Sequence, residues 1–276
     1  MEWLTWKIPV GQTAAAVFDW IESNGRIVVR PFRNAVDAFI DGALWLLQAP
    51  HPLALIAIFV ALTWVLQRSW QTCVIVVLGL LYVLNQGYWE ATTETLALVL
   101  SACLVCMAIG VPIGIAAAHR PWLYAWLRPV LDLMQTLPTF VYLIPAIVLF
   151  GLREVPALVA TVIFVLPAPI RLTRLGISST PTALLEAAEA FGATPRQKLW
   201  KVELPYALPQ IMAGLNQTIM LSLSMVVIAA LVGAAGLGTP VVRALNQVDS
   251  ELGFESGLVI VVVAIVLDRM LRFGKQ

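Results

Sequence analysis

The chain alternates between long apolar runs and short polar breaks, and this alternation predicts its architecture. Apolar runs of roughly 15 to 25 residues have the length of helices that cross a membrane. The first two runs are close to the lower length limit for a span. We therefore expect an all-α polytopic membrane protein. The pattern predicts about seven spans, over residues 53–67, 72–87, 92–118, 130–151, 156–175, 207–232 and 256–270.

A more polar tail precedes the first predicted span. Within it, the apolar residues between positions 31 and 47 recur at helical spacing, while Arg33 and Asp37 lie on the opposite face. This pattern predicts an amphipathic helix that lies at a membrane interface. We accordingly divide the chain into an N-terminal tail, residues 1–50, and a transmembrane domain, residues 51–276.

Residues 178–205 interrupt the apolar pattern with the longest charged stretch in the C-terminal two thirds of the chain. A first short helix is predicted here, with Thr180 as its N-cap and Pro181 at its first position. Gly192 is expected to end that helix in a left-handed conformation. From these caps alone, a surface for a partner and a well-capped solvated loop are both possible.

The same segment predicts a second helix, capped by Thr194 and opened by Pro195. Gln197 lies three residues after the cap and completes a capping box. Pro205 is expected to end this helix because proline cannot continue the hydrogen bonding. Two capped helices around a glycine also occur in DNA-binding proteins, but the flanking spans and the nearly balanced charges exclude that class.

Composition agrees with a membrane protein, since the chain is 60% hydrophobic and 12% charged and has a mean hydropathy of +0.88. Its net charge of +1 implies no bulk attraction to nucleic acid. Cys103 and Cys106 form a C-x-x-C pair within an apolar run that has no histidine nearby. We interpret them as packing residues rather than as a metal or redox site.

The predicted spans contain no catalytic constellation and almost no ionisable groups. The two histidines, His51 and His119, are at span edges and far apart in the sequence. Glu94, Asp132 and Asp268 lie within a turn or two of a span end, where their side chains can reach the interface. Ion-coupled transporters need buried carboxylates or broken helices near the midplane. If the protein pumps a solute, a partner has to supply the energy.

The polar side chains that remain inside the predicted spans are uncharged. Such groups can bond neighbouring helices or line a path that touches a solute weakly. The aromatic residues beside them can meet a quaternary ammonium through cation–π contacts or simply face lipid and core. The candidates for a translocation path are Met134, Gln135, Thr136, Phe140, Tyr142, Asn216, Gln217 and Ser222.

A glycine-rich run over residues 233–238 follows the sixth predicted span. It lacks the order of a dinucleotide-binding loop and the lysine of a P-loop, so we interpret it as a flexible exit from the span. Residues 240–252 then predict a short outward-facing helix with Arg243, Asp249 and Glu251 exposed. Such a helix suits the docking of a soluble binding protein. A plain connecting loop is an equally good interpretation of these residues.

The spacing within residues 178–205 resembles the EAA loop of ABC-importer permeases. Residues 186–188 read Glu-Ala-Ala, Gly192 follows, and residues 202–205 read Val-Glu-Leu-Pro, with Val202 where isoleucine is usual. In that family the loop is a cytoplasmic coupling helix that sits in a cleft of the ATPase subunit. The resemblance implies an ATPase-coupling role for Glu186, Ala187, Ala188, Gly192, Ala193, Pro195, Leu204 and Pro205.

Further stretches resemble the permease subunits of glycine betaine/proline-type importers, within a likeness that covers roughly residues 90–273. These stretches are residues 134–151, 166–177, 191–205 and 211–238. The resemblance implies a type I importer permease that carries a quaternary amine such as glycine betaine, proline betaine or choline. It also implies a homodimer, ATP-binding-cassette subunits that bind ATP and Mg²⁺, and a separate periplasmic binding protein. No cofactor and no enzymatic activity are expected in this chain itself.

Lysine and arginine are more frequent in cytoplasmic loops, which sets the expected orientation. With the EAA loop (residues 178–205) inside, the N-terminus is periplasmic and the C-terminus cytoplasmic in a bacterial inner membrane. Arg26, Arg30 and Arg33 of the tail then lie outside, against the rule. A stand-alone secondary transporter or channel and a non-transporting membrane scaffold stay open as alternatives.

Overall fold

The computed structural model describes residues 25–271 and the positions 11, 13 and 16, so most of the predicted tail and the last residues, 272–276, lie outside the described residues. The described part of the chain is helical and contains no strand. A π-helical turn, Leu199–Glu203, separates the helix Pro195–Lys198 from the helix Leu204–Ser224. The helices are α1 (Arg26–Gln48), α2 (Pro52–Gln67), α3 (Trp70–Asn85), α4 (Trp89–His119), α5 (Pro121–Thr136), α6 (Thr139–Phe150), α7 (Glu154–Val165), α8 (Pro167–Ser178), α9 (Thr182–Ala190), α10 (Pro195–Lys198), α11 (Leu204–Ser224), α12 (Val226–Leu231), α13 (Gly238–Gln247) and α14 (Ser250–Leu271).

Helix α8 lies at the centre of the bundle and packs most extensively against α4 and α11. The contact with α4 is close because glycines of α4 face it. A Cβ atom at Gly110 would lie 2.8 Å from Cγ of Pro169, and one at Gly114 would lie 2.7 Å from Cβ of Thr173. These distances are well below the contact distance between carbon atoms. The helices can therefore approach this closely only where a side chain is missing.

Four stretches of the described chain are long and apolar enough to cross a membrane, namely Trp89–His119, Glu154–Ser178, Pro195–Leu231 and Ser250–Leu271. Two pairs of consecutive helices are bent at a short break: α1 and α2 meet at 97°, and α5 and α6 meet at 90°. If each pair forms one span, the number of spans rises to six. Helix α3, with 16 residues, is short for a span. The all-α membrane fold is confirmed, but the described residues support four to six spans rather than about seven.

The segment predicted as a span over residues 130–151 is not one continuous helix, because the chain bends by 90° between α5 and α6. Leu137 leaves the helical conformation, with φ −66° and ψ 134°, directly before Pro138. The ring of a proline disfavours the helical conformation of the residue before it, which explains the break. Pro129 and Pro145 lie inside helices without ending them.

The predicted amphipathic helix is present as α1, which begins before the predicted position 31. Its apolar face is buried in the bundle at Ile40 and Leu47. At its end, Nε2 of Gln48 donates a hydrogen bond to Oγ1 of Thr93 in α4, at 3.0 Å. Helix α1 therefore packs on α4, while its location at a membrane interface stays a prediction.

The glycine-rich run after α12 is not the flexible exit that the sequence predicts. Gly236 has φ +125°, and a Cβ atom there would lie 2.5 Å from Oγ1 of Thr95. The backbone N–H of Leu237 donates to the same hydroxyl at 2.8 Å. A Cβ atom at Gly238 would lie 2.2 Å from the carbonyl oxygen of Val226. The run is packed against α4 and α12, because glycine lets backbone approach backbone without a side chain between.

The predicted short helix after this run is present as α13, and Arg243, Asp249 and Glu251 are exposed as expected. Cys103 and Cys106 are buried and free of disulfide bonds, in agreement with the interpretation as packing residues. Across residues 25–271, no group of histidine, cysteine and carboxylate side chains is placed to hold a metal ion.

Candidate functional site

The first helix of the EAA loop, α9, begins at Thr182. Pro181 is its N-cap residue, and its carbonyl oxygen accepts from the backbone N–H of Leu184 at 3.0 Å. Thr180 instead closes the last turn of α8, where its N–H donates to the oxygen of Ile177 at 3.2 Å. The predicted Thr180 cap is therefore wrong, because the chain needs an extended residue to leave α8 before α9 starts.

Gly192 ends α9 in the predicted left-handed conformation, with φ +76°. Its N–H donates to the oxygen of Glu189 at 2.9 Å, and the N–H of Ala193 donates to the oxygen of Ala188 at 3.0 Å. This pair of bonds is a Schellman motif, which satisfies the last carbonyl groups of a helix. No heavy atom of the neighbouring structure lies within 4 Å of the position of a Cβ. The glycine is needed here for backbone conformation rather than for packing.

The predicted capping box at the start of α10 is confirmed. The N–H of Gln197 donates to Oγ1 of Thr194 at 3.4 Å, and the N–H of Thr194 donates to Oε1 of Gln197 at 2.8 Å. Nζ of Lys198 donates to Oε1 of Glu189 in α9 at 2.5 Å. Water screens this ion pair, so the Schellman motif and the capping box, rather than the charges, fix the turn between the helices.

Pro205 does not end the second helix, and that prediction is wrong. The chain runs from α10 through the π turn into α11, and Pro195–Leu231 counts as one candidate span. In the π turn the N–H of Leu204 donates to the oxygen of Leu199, five residues earlier. Pro205 falls in the first turn of α11, where its missing N–H costs no hydrogen bond.

The helix pair presents an uncovered surface. Residues 181–202 include no buried residue, although both neighbouring helices are packed in the bundle. Phe191 is 91% exposed, Trp200 is 68% exposed and Leu184 is 46% exposed. Large apolar side chains on the surface of an otherwise polar segment mark a contact site for another protein. The geometry favours a surface for a partner over a solvated loop.

The eight predicted coupling residues fall into two groups. The six from Glu186 to Pro195 share the helix–turn–helix unit, whereas Leu204 and Pro205 lie beyond the π turn at the start of α11. A coupling role for these residues stays a prediction. The exposed residues are Glu186, Ala187, Gly192, Pro195 and Pro205, and the partly buried ones are Ala188, Ala193 and Leu204.

A buried carboxylate ties the EAA loop to the end of α4. Oε2 of Glu203 lies 2.8 Å from Nε2 of His119, the last residue of α4. Nδ1 of the same ring lies 3.0 Å from the carbonyl oxygen of Ile115. The Glu203 side chain is only 5% exposed. No sequence pattern indicates this pair, because the two residues are 84 positions apart and belong to separate polar breaks.

Five of the predicted path residues lie at the bend between α5 and α6. Oε1 of Gln135 accepts from Nη1 of Arg171 in α8 at 2.9 Å, and Nη2 of Arg171 donates to Oδ1 of Asp132 at 2.6 Å. These bonds hold α5 against α8. Met134 and Tyr142 are partly buried, and Thr136 and Phe140 are exposed.

The other three predicted path residues belong to α11. Nδ2 of Asn216 donates to Oδ1 of Asp268 in α14 at 3.0 Å, Gln217 is exposed, and Ser222 is buried. Within the described part of the chain, no hydrogen bond joins these residues to the group at the α5–α6 bend. The five residues at the α5–α6 bend and the three residues of α11 thus form two separate groups. A common translocation path through both groups stays a prediction.

A cleft of about 380 Å³ lies at the other end of α4, where α4 meets α13. Glu90, Glu94 and Arg243 supply the charged side chains of its lining, and none of the predicted path residues takes part. Burial, followed by the nearby Glu255 carboxylate, raises the pKa of Tyr88, which also lines the cleft.

The model of one protein family, the binding-protein-dependent transport system inner membrane component, matches residues 110–273, which is more than half of the chain. The match includes α8, the EAA loop and α11. The chain belongs to this family. It is a multi-pass membrane permease subunit of an ABC importer, as the spacing of the EAA loop predicts.

The permease resembles several curated relatives over most of its length. It is 47% identical over 247 residues to the glycine betaine/carnitine transport permease protein GbuB of Listeria monocytogenes. This match covers 88% of each of the two chains. It is 44% identical to the glycine betaine transport system permease protein OpuAB of Bacillus subtilis, over 96% of this chain and 93% of that one. It is also 44% identical to the glycine betaine/proline betaine transport system permease protein ProW of Escherichia coli, over 95% and 74% of the two chains.

A solved structure has the same fold. The permease matches a chain of the MetNI methionine ABC transporter, in an inward-facing conformation, with a TM-score of 0.57 and 25% identity. The match covers 65% of this chain and 92% of that chain. The predicted all-α permease fold of the type I importers is thereby confirmed.

Proposed function

We propose that this permease moves a quaternary amine into the cell by alternating access driven by ATPase subunits docked on the EAA loop. The uncovered helix pair of residues 181–202 is the observation that carries the proposal. It is attached to α8 on one side and runs into α11 on the other. A partner that pushes on α9 therefore acts on two packed helices of the bundle together.

The charges of the described residues support an external source of energy. Among residues 25–271, Glu203 is the only buried carboxylate, and it lies at the EAA loop rather than in the middle of a span. Transport coupled to protons or sodium needs ionisable or ion-coordinating groups inside the membrane. We infer that ATP and Mg²⁺ bind to a partner subunit and that this chain has no ATPase activity of its own.

The proposed substrate class follows from the relatives. Glycine betaine, proline betaine and carnitine, after which those permeases are named, all carry a quaternary ammonium group. Such a group cannot donate a hydrogen bond and is attracted to the faces of aromatic rings. Phe140 is 50% exposed at the α5–α6 bend, beside Gln135 and Thr136. These residues, with those of α11, are the proposed contacts of the substrate.

We further propose how the importer is assembled and oriented. Two copies of the permease carry two ATPase subunits on the cytoplasmic side, where the EAA loop lies. The 31 residues of α4 span about 45 Å, so the cleft lined by Glu90 and Arg243 then opens on the opposite side. A soluble periplasmic binding protein delivers the substrate there, close to α13. With an odd number of spans, such as five of the four to six, this orientation puts the N-terminus outside and the C-terminus inside a bacterial inner membrane.

The test is uptake of radiolabelled glycine betaine and choline by proteoliposomes. They contain the permease with or without a co-expressed ATPase, the candidate binding protein and ATP. Uptake that requires every component is the expected result, and competition between the two solutes then ranks them. Uptake without the ATPase would identify a secondary transporter or channel. An assembled complex that moves neither solute would refute the quaternary-amine assignment.

A further inference from the structure

Both ring nitrogens of His119 lie within hydrogen-bond distance of an oxygen atom. Its Nδ1 faces the carbonyl oxygen of Ile115, which can only accept a hydrogen bond. Its Nε2 faces Oε2 of Glu203, and an ionised carboxylate also only accepts. The two contacts orient the ring between the backbone of α4 and the side chain of Glu203.

The side chain of Glu203 is buried and would be left unsatisfied without His119, whereas the side chain of His119 is 44% exposed and reaches water. This explains how Glu203 is buried although its surroundings are apolar, with Ile177, Ala207 and Ile211 forming the nearby core cluster.

The position of the pair gives it mechanical importance. Glu203 is the last residue of the π turn, where the second helix of the EAA loop becomes α11. His119 is the last residue of α4. The backbone of the EAA loop is continuous with α8 and α11, but it has no covalent connection to α4 nearby. Packing against α8 and α11 holds the length of α4, and the bond between the two side chains adds a direct polar link from its last residue to the EAA loop.

We propose that His119 and Glu203 are positioning residues that make α4 move with the EAA loop when the ATPase subunits close. This inference rests on the proposed function, because it assigns the two residues a part in ATP-driven transport. Neither residue belongs to the proposed substrate path. Their contribution is to keep α4 aligned with α8 and α11 through the conformational change. Without the bond, the ATPase subunits still hydrolyse ATP, but fewer solute molecules are transported for each ATP hydrolysed.

The test measures solute molecules transported per ATP hydrolysed by the complete complex in proteoliposomes, for which we use glycine betaine. His119→Ala and Glu203→Ala should each lower this ratio about tenfold. The double variant should lower it no further, because both substitutions remove the same bond. Glu203→Gln should stay within about twofold of the wild type, since an amide can still bond either neutral tautomer of His119.

Thr93→Val is the matched control. It removes the bond between Gln48 and Thr93, another polar link from α4 to a neighbouring helix, at the end of α4 away from the EAA loop. It should leave the ratio unchanged, and all variants should copurify with the ATPase. The proposal is overturned if both alanine variants keep the wild-type ratio, if their effects multiply, or if Glu203→Gln is as impaired as Glu203→Ala. Absence of ATP-dependent uptake by the wild type would instead refute the proposed function.

Discussion

Two glycines with positive φ angles show how differently the two ends of this permease are built. Gly192, in the EAA loop, has φ +76° and open space where a side chain would be. Gly236, before α13, has φ +125° and the Thr95 hydroxyl 2.5 Å from the same position. The first glycine shapes a surface that is free to meet a partner, and the second allows a connection to be packed into the bundle. Glycine thus shapes an exposed turn in one region and permits close internal packing in the other.

Gly236→Ala is expected to have the largest effect on stability, and it tests the difference between Gly236 and Gly192 directly. The new methyl group collides with Thr95, and the backbone conformation is unfavourable for a residue with a side chain. We expect a loss of about 3 kcal/mol or more in stability, measured by thermal unfolding of the purified permease. Gly42→Ala is the control, because nothing lies within 4 Å of its Cβ position, and it should be neutral or slightly stabilising. Equal melting temperatures for the two variants would contradict the close packing.

Gly192→Asp is expected to abolish uptake without preventing membrane insertion. The position has room for a side chain, and aspartate tolerates the left-handed conformation better than most residues. The new charge, however, lies on the surface that we propose meets the ATPase. Uptake and ATPase copurification are measured together, with Gly192→Asn as the uncharged control that keeps the backbone preference. Normal uptake by the aspartate variant would remove Gly192 from the coupling residues.

Phe191→Ser tests the docking surface without changing the turn. The side chain is 91% exposed, so the melting temperature should be unchanged. Loss of an apolar anchor should weaken ATPase binding about tenfold, measured by titration of the purified subunit. Leu245→Ser in α13, where the side chain is 72% exposed, should leave ATPase affinity unaltered. If both serine variants bind the ATPase equally, the contact lies elsewhere.

Thr194→Ala is expected to have the smallest effect. It removes the side-chain acceptor of the capping box, which is worth about 1 kcal/mol of local stability. Amide hydrogen exchange at residues 196–198 should accelerate, while uptake falls less than about twofold because the Schellman motif persists. Thr194→Ser keeps the acceptor and should exchange as the wild type does. Unchanged exchange in the alanine variant would show that the cap does not hold α10.

The sequence predicts best what depends on neighbouring residues. The capping box at Thr194 and the left-handed Gly192 are local devices, and both are confirmed. The family resemblance rested on the same local spacing. Apolar runs likewise located the helices, because burial in membrane or bundle requires continuous apolar surface.

Features that depend on distant contacts were predicted poorly. Pro205 has the residue type of a helix end, but the π turn before it removes the need for its N–H. The glycine run at Gly236 looked flexible because its partner, Thr95, is 141 residues away by position in the chain, and only folding brings them together. The pair of His119 and Glu203 was missed for the same reason. Pairings between remote polar residues leave no periodic trace in one sequence.

The continuity of the stretch Pro195–Leu231 has a consequence for how far a small movement can reach. Its 37 residues, at the rise of a helix, make a rod of about 55 Å that begins inside the EAA loop. If the rod keeps its shape, a tilt of about 10° at the loop displaces the far end by roughly 10 Å. That displacement exceeds the width of a small solute. A small rotation of the second helix of the EAA loop is therefore converted into a much larger displacement at the opposite end of the span.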